Sequence, residues 1–177
     1  LAVSALSIIG VGSGARAAEP VRPSDAYGHM DTIRVEISQS TGARWVADVY
    51  LTNDENLAAM TLPLRWGPKH GFYRLDSASY AKSRIEDFAV KTFYPDTVKQ
   101  TVLLGLISDI GKGVPPLESG HGLIARLHFT SLKAGAKPLT IDTTFVPPHN
   151  VLQMVTPDIA SIYPIFQVKT VDAATKQ

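Results

Sequence analysis

Five histidines, two adjacent acid pairs and a small set of aromatic rings carry the chemistry open to this chain. His29, His70, His121, His128 and His149 stand apart. None forms an i, i+4 helical pair or a short His-x-His pair beside a carboxylate, so the spacing predicts no metal site. His121 lies between two glycines and suits a turn, whereas His128 falls beside Arg126 on the outer phase of an alternating segment. No G-x-S-x-G elbow is present, and Ser119 and Ser131 have no base at a recognisable spacing. The acid pairs Asp54-Glu55 and Glu86-Asp87 sit in loop-like sequence. Glycoside hydrolysis needs two carboxyls facing each other across a cleft, which neither pair suggests. Asn53-Asp54-Glu55-Asn56 offers oxygen ligands that suit calcium, with a plain polar turn as the simpler reading. These observations predict no catalytic residue, no metal site and no required cofactor.

The aromatic residues give the better lead. Trp45 and Trp66 fall on the inward phase of their segments and are expected in the core. Phe93 and Tyr94, next to Pro95, are candidates for rings exposed at a loop. Tyr50, Arg65, Arg126 and His128 all have outward phase, and are candidate binding residues if their strands share a sheet.

Those side chains are positioned by strands. Ile33, Val35 and Ile37 alternate with polar neighbours, as do Trp45, Ala47, Val49 and Leu51. The same period of two runs through Met60, Leu62, Leu64 and Trp66, through Val102, Leu104 and Leu106, and through Leu123, Ala125, Leu127 and Phe129. Leu103 and Ile107 are apolar on the other phase, so that strand is expected to be central. Turn residues separate the runs at Ser40-Thr41-Gly42, 53–56, Gly67-Pro68-Lys69, Tyr94-Pro95-Asp96 and Gly120-His121-Gly122. Further strands are expected near 72–77, 87–93, 138–145, 151–154 and 162–171, and a short helix near Ala78–Ile85. Pro63 lacks an amide hydrogen, which predicts an edge strand or a bulge there. The pattern predicts an all-β, two-sheet antiparallel sandwich of about nine or ten strands.

Composition agrees with a single globular domain. The 177 residues are 45% hydrophobic and 19% charged, with no cysteine, so packing and not disulfides must hold the fold. The net charge of +1 and the scattered basic residues give no footprint for nucleic acid. Residues 1–17 resemble the h-region and cleavage site of a secretory signal peptide, apolar from Leu1 to Val11 and ending in Ala15-Arg16-Ala17. A retained anchor or apolar strand is the alternative. The apolar run is too short to span a bilayer, so no stable membrane span is expected in the mature chain. Gly10-Val11-Gly12-Ser13-Gly14-Ala15 imitates a dinucleotide-binding turn, but Pro20 and Pro23 interrupt the helix such a site requires. An exposed lead-in over 18–27, one sandwich over 28–172 and the start of a linker over 173–177 are expected.

The order of these segments resembles the cohesin-like domains of secreted bacterial proteins, which belong to a carbohydrate-binding-module-like sandwich superfamily. DTIRVEI matches the opening strand and VADVYLTNDENLAAMTLPLRW the second hairpin. TVLLGLIS and GHGLIARLHFTSL follow, the last with Gly122, Leu123, Ala125, Leu127 and Phe129 in the family's order. The resemblance covers about residues 31 to 171 and implies a jelly-roll fold. No residue here matches the polar face by which cohesins hold a dockerin, so it carries over no binding residue. The signal-like start and the missing site chemistry predict a non-catalytic protein-binding or scaffold module, secreted or at the cell surface, whose partner is another secreted protein module. A carbohydrate-binding module with a polysaccharide ligand, and a filament or surface-layer subunit assembling by strand addition, are the alternatives.

Overall fold

The computed structural model describes residues 31–68, 71–135 and 137–171, all of them in strands, turns and loops. The expected signal segment and lead-in, His29 and His70, and the expected linker lie outside the described residues. Twelve strands form where about nine or ten were expected, because the expected 162–171 segment divides in two and the expected turn at 94–96 is itself a strand. They are β1 (Thr32–Gln39), β2 (Arg44–Asn53), β3 (Ala59–Gly67), β4 (Tyr73–Ser79), β5 (Val90–Lys91) and β6 (Tyr94–Asp96). Then come β7 (Thr101–Ile107), β8 (Gly120–Ser131), β9 (Thr140–Thr143), β10 (Gln153–Val155), β11 (Ser161–Ile162) and β12 (Ile165–Thr170). No helix among the described residues is long and apolar enough to cross a membrane.

Two sheets face each other. One has the order β12-β1-β2-β8-β4; the other runs β11-β10-β3-β7-β5, with β6 beside β7 and β9 beside β3. Alternation explains the layering: Ile33, Val35, Ile37, Ala47, Val49 and Leu51 from one sheet meet Leu62, Leu64, Leu104 and Leu106 from the other, all fully buried or nearly so. β7 is central, as its two apolar phases predict: β3 lies on one side and β5 and β6 on the other.

Five expectations are corrected. Ile124 is buried and Leu123 only half so, because the β2–β8 register shifts at Val49/Tyr50; the extra residue turns Ile124 inward beside Ala125. Gly120-His121-Gly122 is the start of β8 and Tyr94-Pro95-Asp96 is β6, so neither is a turn. Ala78–Ile85 is no helix: β4 ends at Ser79, and bonds such as Ser83 N to Tyr80 O at 3.2 Å make successive tight turns. Trp66 is buried, but Trp45 is only half-buried near the end of its strand, edge-on to Tyr73.

Pro63 supplies the fifth correction, because it lies in an interior strand. β10 pairs residues 59–61 of β3 and β9 pairs residues 64–67, so Pro63 sits where one partner gives way to the next. Its carbonyl accepts from Thr144 N at 3.0 Å. A strand residue's N–H and C=O point the same way, so the missing donor faces the gap between β10 and β9.

Candidate functional site

The outer face of the five-stranded sheet holds three of the four outward-phase candidates. Tyr50 is on β2, while Arg126 and His128 are on β8; Arg65 lies on β3 in the opposite sheet. The structure therefore separates Arg65 from the other three. It is exposed and pairs with Asp142 across the β3–β9 ladder at 3.5 Å.

Around the first three, polar groups are already engaged with one another. Arg126 lies opposite Asp48 in the β2–β8 ladder and donates two hydrogen bonds to its carboxylate, at 2.6 and 3.1 Å. Asp48 is 1% exposed, which the alternating pattern did not reveal. The bond to Asp48 raises the Arg126 pKa despite partial burial, so this guanidinium is locked in its charged form. Tyr50 is stacked on His121 with ring centroids 5.9 Å apart, and the Arg34 guanidinium lies 5.5 Å from the Tyr50 ring centre. Thr52 Oγ1 is 2.8 Å from His121 Nδ1. Thr130 and Arg74 both donate to Asp76, each at 2.6 Å. Burial works against the Asp76 carboxylate, but these bonds and the Arg74 and Arg44 charges outweigh it and hold its pKa below the usual range. His128 is half-buried between Val46 and Ser77.

The other sheet presents a different outer face. β7 turns Thr101, Leu103, Gly105 and Ile107 outward, and its register places Tyr94 beside Leu103 and Val90 beside Ile107. Tyr94 is 66% exposed, Phe145 54% and Ile107 39%. Phe93, the other exposed-ring candidate, is half-buried against the core. Tyr94, Leu103, Phe145 and Asn150 line a hollow of about 210 Å³. At the middle of the face, Thr92 Oγ1 sits 2.7 Å from where a Cβ on Gly105 would stand, and it accepts from Gly105 N at 2.8 Å. Only glycine allows that approach, which keeps the centre of the face flat. Charges gather at one end, where Arg65 meets Asp142 and Lys99 meets Asp96 at 3.6 Å.

One end of the sandwich is closed by Arg84, a residue with no signal in the pattern. From the turns after β4 its guanidinium reaches Asn53 Oδ1 at 2.8 Å, Gly120 O at 3.1 Å and Glu118 O at 2.5 Å. Its aliphatic stem crosses Gly122, where a Cβ would lie 2.8 Å from Arg84 Cδ. Burial lowers the Arg84 pKa, and the oxygen acceptors compensate the buried charge.

This latch bears on the expected calcium loop. Asp54 and Glu55 do converge with buried Asp31, one ligand oxygen of each lying within 4.8 Å of the others. Asn53 is withdrawn from the set, because Arg84 occupies its Oδ1 and its Nδ2 donates to Glu55 O and Glu118 O. A cation sharing Asn53 with a guanidinium would be repelled, so a calcium site using all four loop residues is not supported.

Thr52 and His121 form the one hydroxyl–imidazole contact among the side-chain bonds of the described residues. They lie on an open sheet face, stacked on Tyr50, and line none of the three hollows described here. The other two hollows are shallow. One of about 510 Å³ is bordered by Trp45, Tyr73 and Lys133, and one of about 480 Å³ by Arg65, Gln100 and Asp142.

Two facing sheets with these strand orders define a jelly-roll β-sandwich. Known structures sharpen that class. A cohesin in a type I cohesin–dockerin complex from Clostridium thermocellum superposes with a TM-score of 0.63 at 11% identity, covering 81% of this chain and 100% of that one. The third ScaC cohesin of Acetivibrio cellulolyticus, bound to the ScaB dockerin, gives 0.64 at 10% identity over 81% and 97%. A non-cellulosomal cohesin from the archaeon Archaeoglobus fulgidus gives 0.53 at 11% identity over 81% and 92%. No sequence-family model and no curated protein matches the chain. The fold is that of a cohesin-like β-sandwich.

Proposed function

We propose that this chain is a non-catalytic protein-binding module of an exported scaffold, and that it engages its partner through the outer face of the seven-stranded sheet. The observation that carries the reading is the contrast between the two outer faces. On the five-stranded sheet the charged groups are satisfied internally, above all by Arg126 on Asp48. A partner there would have to compete with bonds already made. On the seven-stranded sheet Tyr94, Phe145 and Ile107 are exposed, and charges are confined to the rim. An apolar centre with a charged rim is the usual anatomy of a protein–protein interface.

Two of the structural neighbours are cohesins held in complex with dockerins, which supports a protein module as the partner class. In this reading the module spans 28–172, residues 1–17 direct export, and the domain works outside the cytoplasm. Arg65 belongs to the rim of the binding face, while Tyr50, Arg126 and His128 stabilise the opposite sheet. The test is titration calorimetry with a panel of purified dockerin modules, using the chain and its Tyr94→Arg, Ile107→Arg double variant. Binding that the double variant abolishes, and that Tyr50→Ala retains, supports the assignment. Binding unaffected by the double variant overturns it.

A further inference from the structure

The five-stranded sheet has two edges, and they are guarded very differently. At β4 the register breaks between Leu75 and Ser77, and Arg74 and Asp76 stand on the strand. A bulge and charges of this kind block pairing with another chain. β12 has neither. It runs parallel to β1 in unbroken register from Thr32↔Ile165 to Ile37↔Thr170.

Backbone direction shows what this edge offers. Ile165 N donates to Asp31 O and Val171 N to Ile37 O, both at 2.7 Å. Residues 165, 167, 169 and 171 therefore face β1, and by alternation the N–H and C=O groups of Phe166, Val168 and Thr170 face away from it. Among the described residues no backbone bond outside the strand ladders ends on these three. Their side chains tell the same story. Val168 pairs with Val35, which is completely buried, so Val168 has the inward phase; yet it is 43% exposed. Phe166 still packs on the core, but at Val168 the seam is open to solvent.

We propose that a second copy of this chain covers the seam, with β12 pairing antiparallel to its own copy about a two-fold axis at Val168. Parity and register both allow it. With Val168 opposite Val168 of the other copy, Phe166 lies opposite Thr170, and all three positions present outward donors and acceptors. Each becomes a doubly hydrogen-bonded pair. On the outer surface Lys169 falls opposite Gln167, so no like charges meet directly. On the inner side the two Val168 side chains cover each other. The pairing joins the two five-stranded sheets into one, and the bulged β4 edges end it, so the assembly closes as a dimer and does not extend into a fibre. It leaves the outer face of the seven-stranded sheet accessible and does not depend on what binds there.

The test is sedimentation equilibrium of the chain from about 10 µM to about 1 mM, the range suited to a small, weak interface. A monomer–dimer equilibrium is expected, with amide exchange at Phe166, Val168 and Thr170 slowing as concentration rises. Val168→Pro removes a donor that faces away from β1, so it leaves the internal ladder intact and weakens association at least about tenfold. Val168→Lys sets two ammonium groups against each other on the axis and does the same without altering the backbone, should the proline variant fail to fold. A chain that sediments as a monomer throughout, with fast exchange at all three amides, overturns the proposal. So does a dimer that neither variant weakens.

Discussion

Replacing Phe129 by alanine tests the strand phase on which the whole architecture rests. Phe129 is 2% exposed near the end of β8, flanked in the sheet by Trp45 and Leu75 and edge-on to Trp66 with ring centroids 6.0 Å apart. Truncation removes roughly 100 Å² of buried apolar surface, which at about 25 cal/mol per Å² is about 2.5 kcal/mol. Neighbours drawn from three elements cannot all collapse into the space. An unrelaxed cavity of roughly 50 Å³ adds about 1.2 kcal/mol at about 24 cal/mol per Å³. The expected loss is therefore about 3–5 kcal/mol, or a fall in Tm of roughly 8–16 °C for a domain of this size. His128→Ala, one residue away on the opposite phase, is expected to cost about 0.5 kcal/mol or less. Urea denaturation of both variants measures the difference. Equal losses would mean that β8 does not present alternate residues to core and surface, and would refute the assignment of the sheet faces.

Three further outcomes follow from the site geometry. Arg84→Met should lower stability by about 2–4 kcal/mol in the same assay, because it strands the acceptors at Glu118 and Gly120, and the 80–88 and 117–120 loops should become more sensitive to protease. Asp76 has a folded-state pKa below its unfolded value, so its contribution is present above the unfolded pKa and is lost as pH falls through the folded one. Asp76→Asn should therefore flatten the acid side of the stability–pH curve and leave the alkaline side unchanged. Gly105→Ala should collide with the Thr92 hydroxyl and destabilise the domain, and Thr92→Ala in the same chain should relieve much of that loss.

Much of the fold is legible in the sequence because one physical rule dominates it. A strand with one wet and one dry face must alternate, and the buried residues of β1 and β7 follow that rule, as do Met60, Leu62, Leu64 and Trp66 of β3. Features that depend on a partner strand are less visible. The bulge that turns Ile124 inward arises from how β8 meets β2, and nothing in residues 122–129 alone announces it. Pro63 signals a missing donor truthfully, but an edge strand and a change of partner within a sheet satisfy that signal equally. Arg65 has the outward phase expected of it, yet phase says nothing about which sheet a strand joins. Asp48 and Arg84 are legible only in three dimensions. Asp48 meets its guanidinium partner 78 residues away in the chain, and Arg84 meets the Asn53 side-chain oxygen 31 residues away.

The most direct test of the binding reading is a comparison of ligand classes on one sample. The immobilised chain is offered purified dockerin modules and, separately, cellulose and xylan, with the Tyr94→Arg, Ile107→Arg double variant in parallel. A dockerin-type module is expected to be retained, the double variant to release it, and neither polysaccharide to bind. A chain that ignores every dockerin but holds cellulose or xylan, with the double variant binding equally well, would contradict the binding reading.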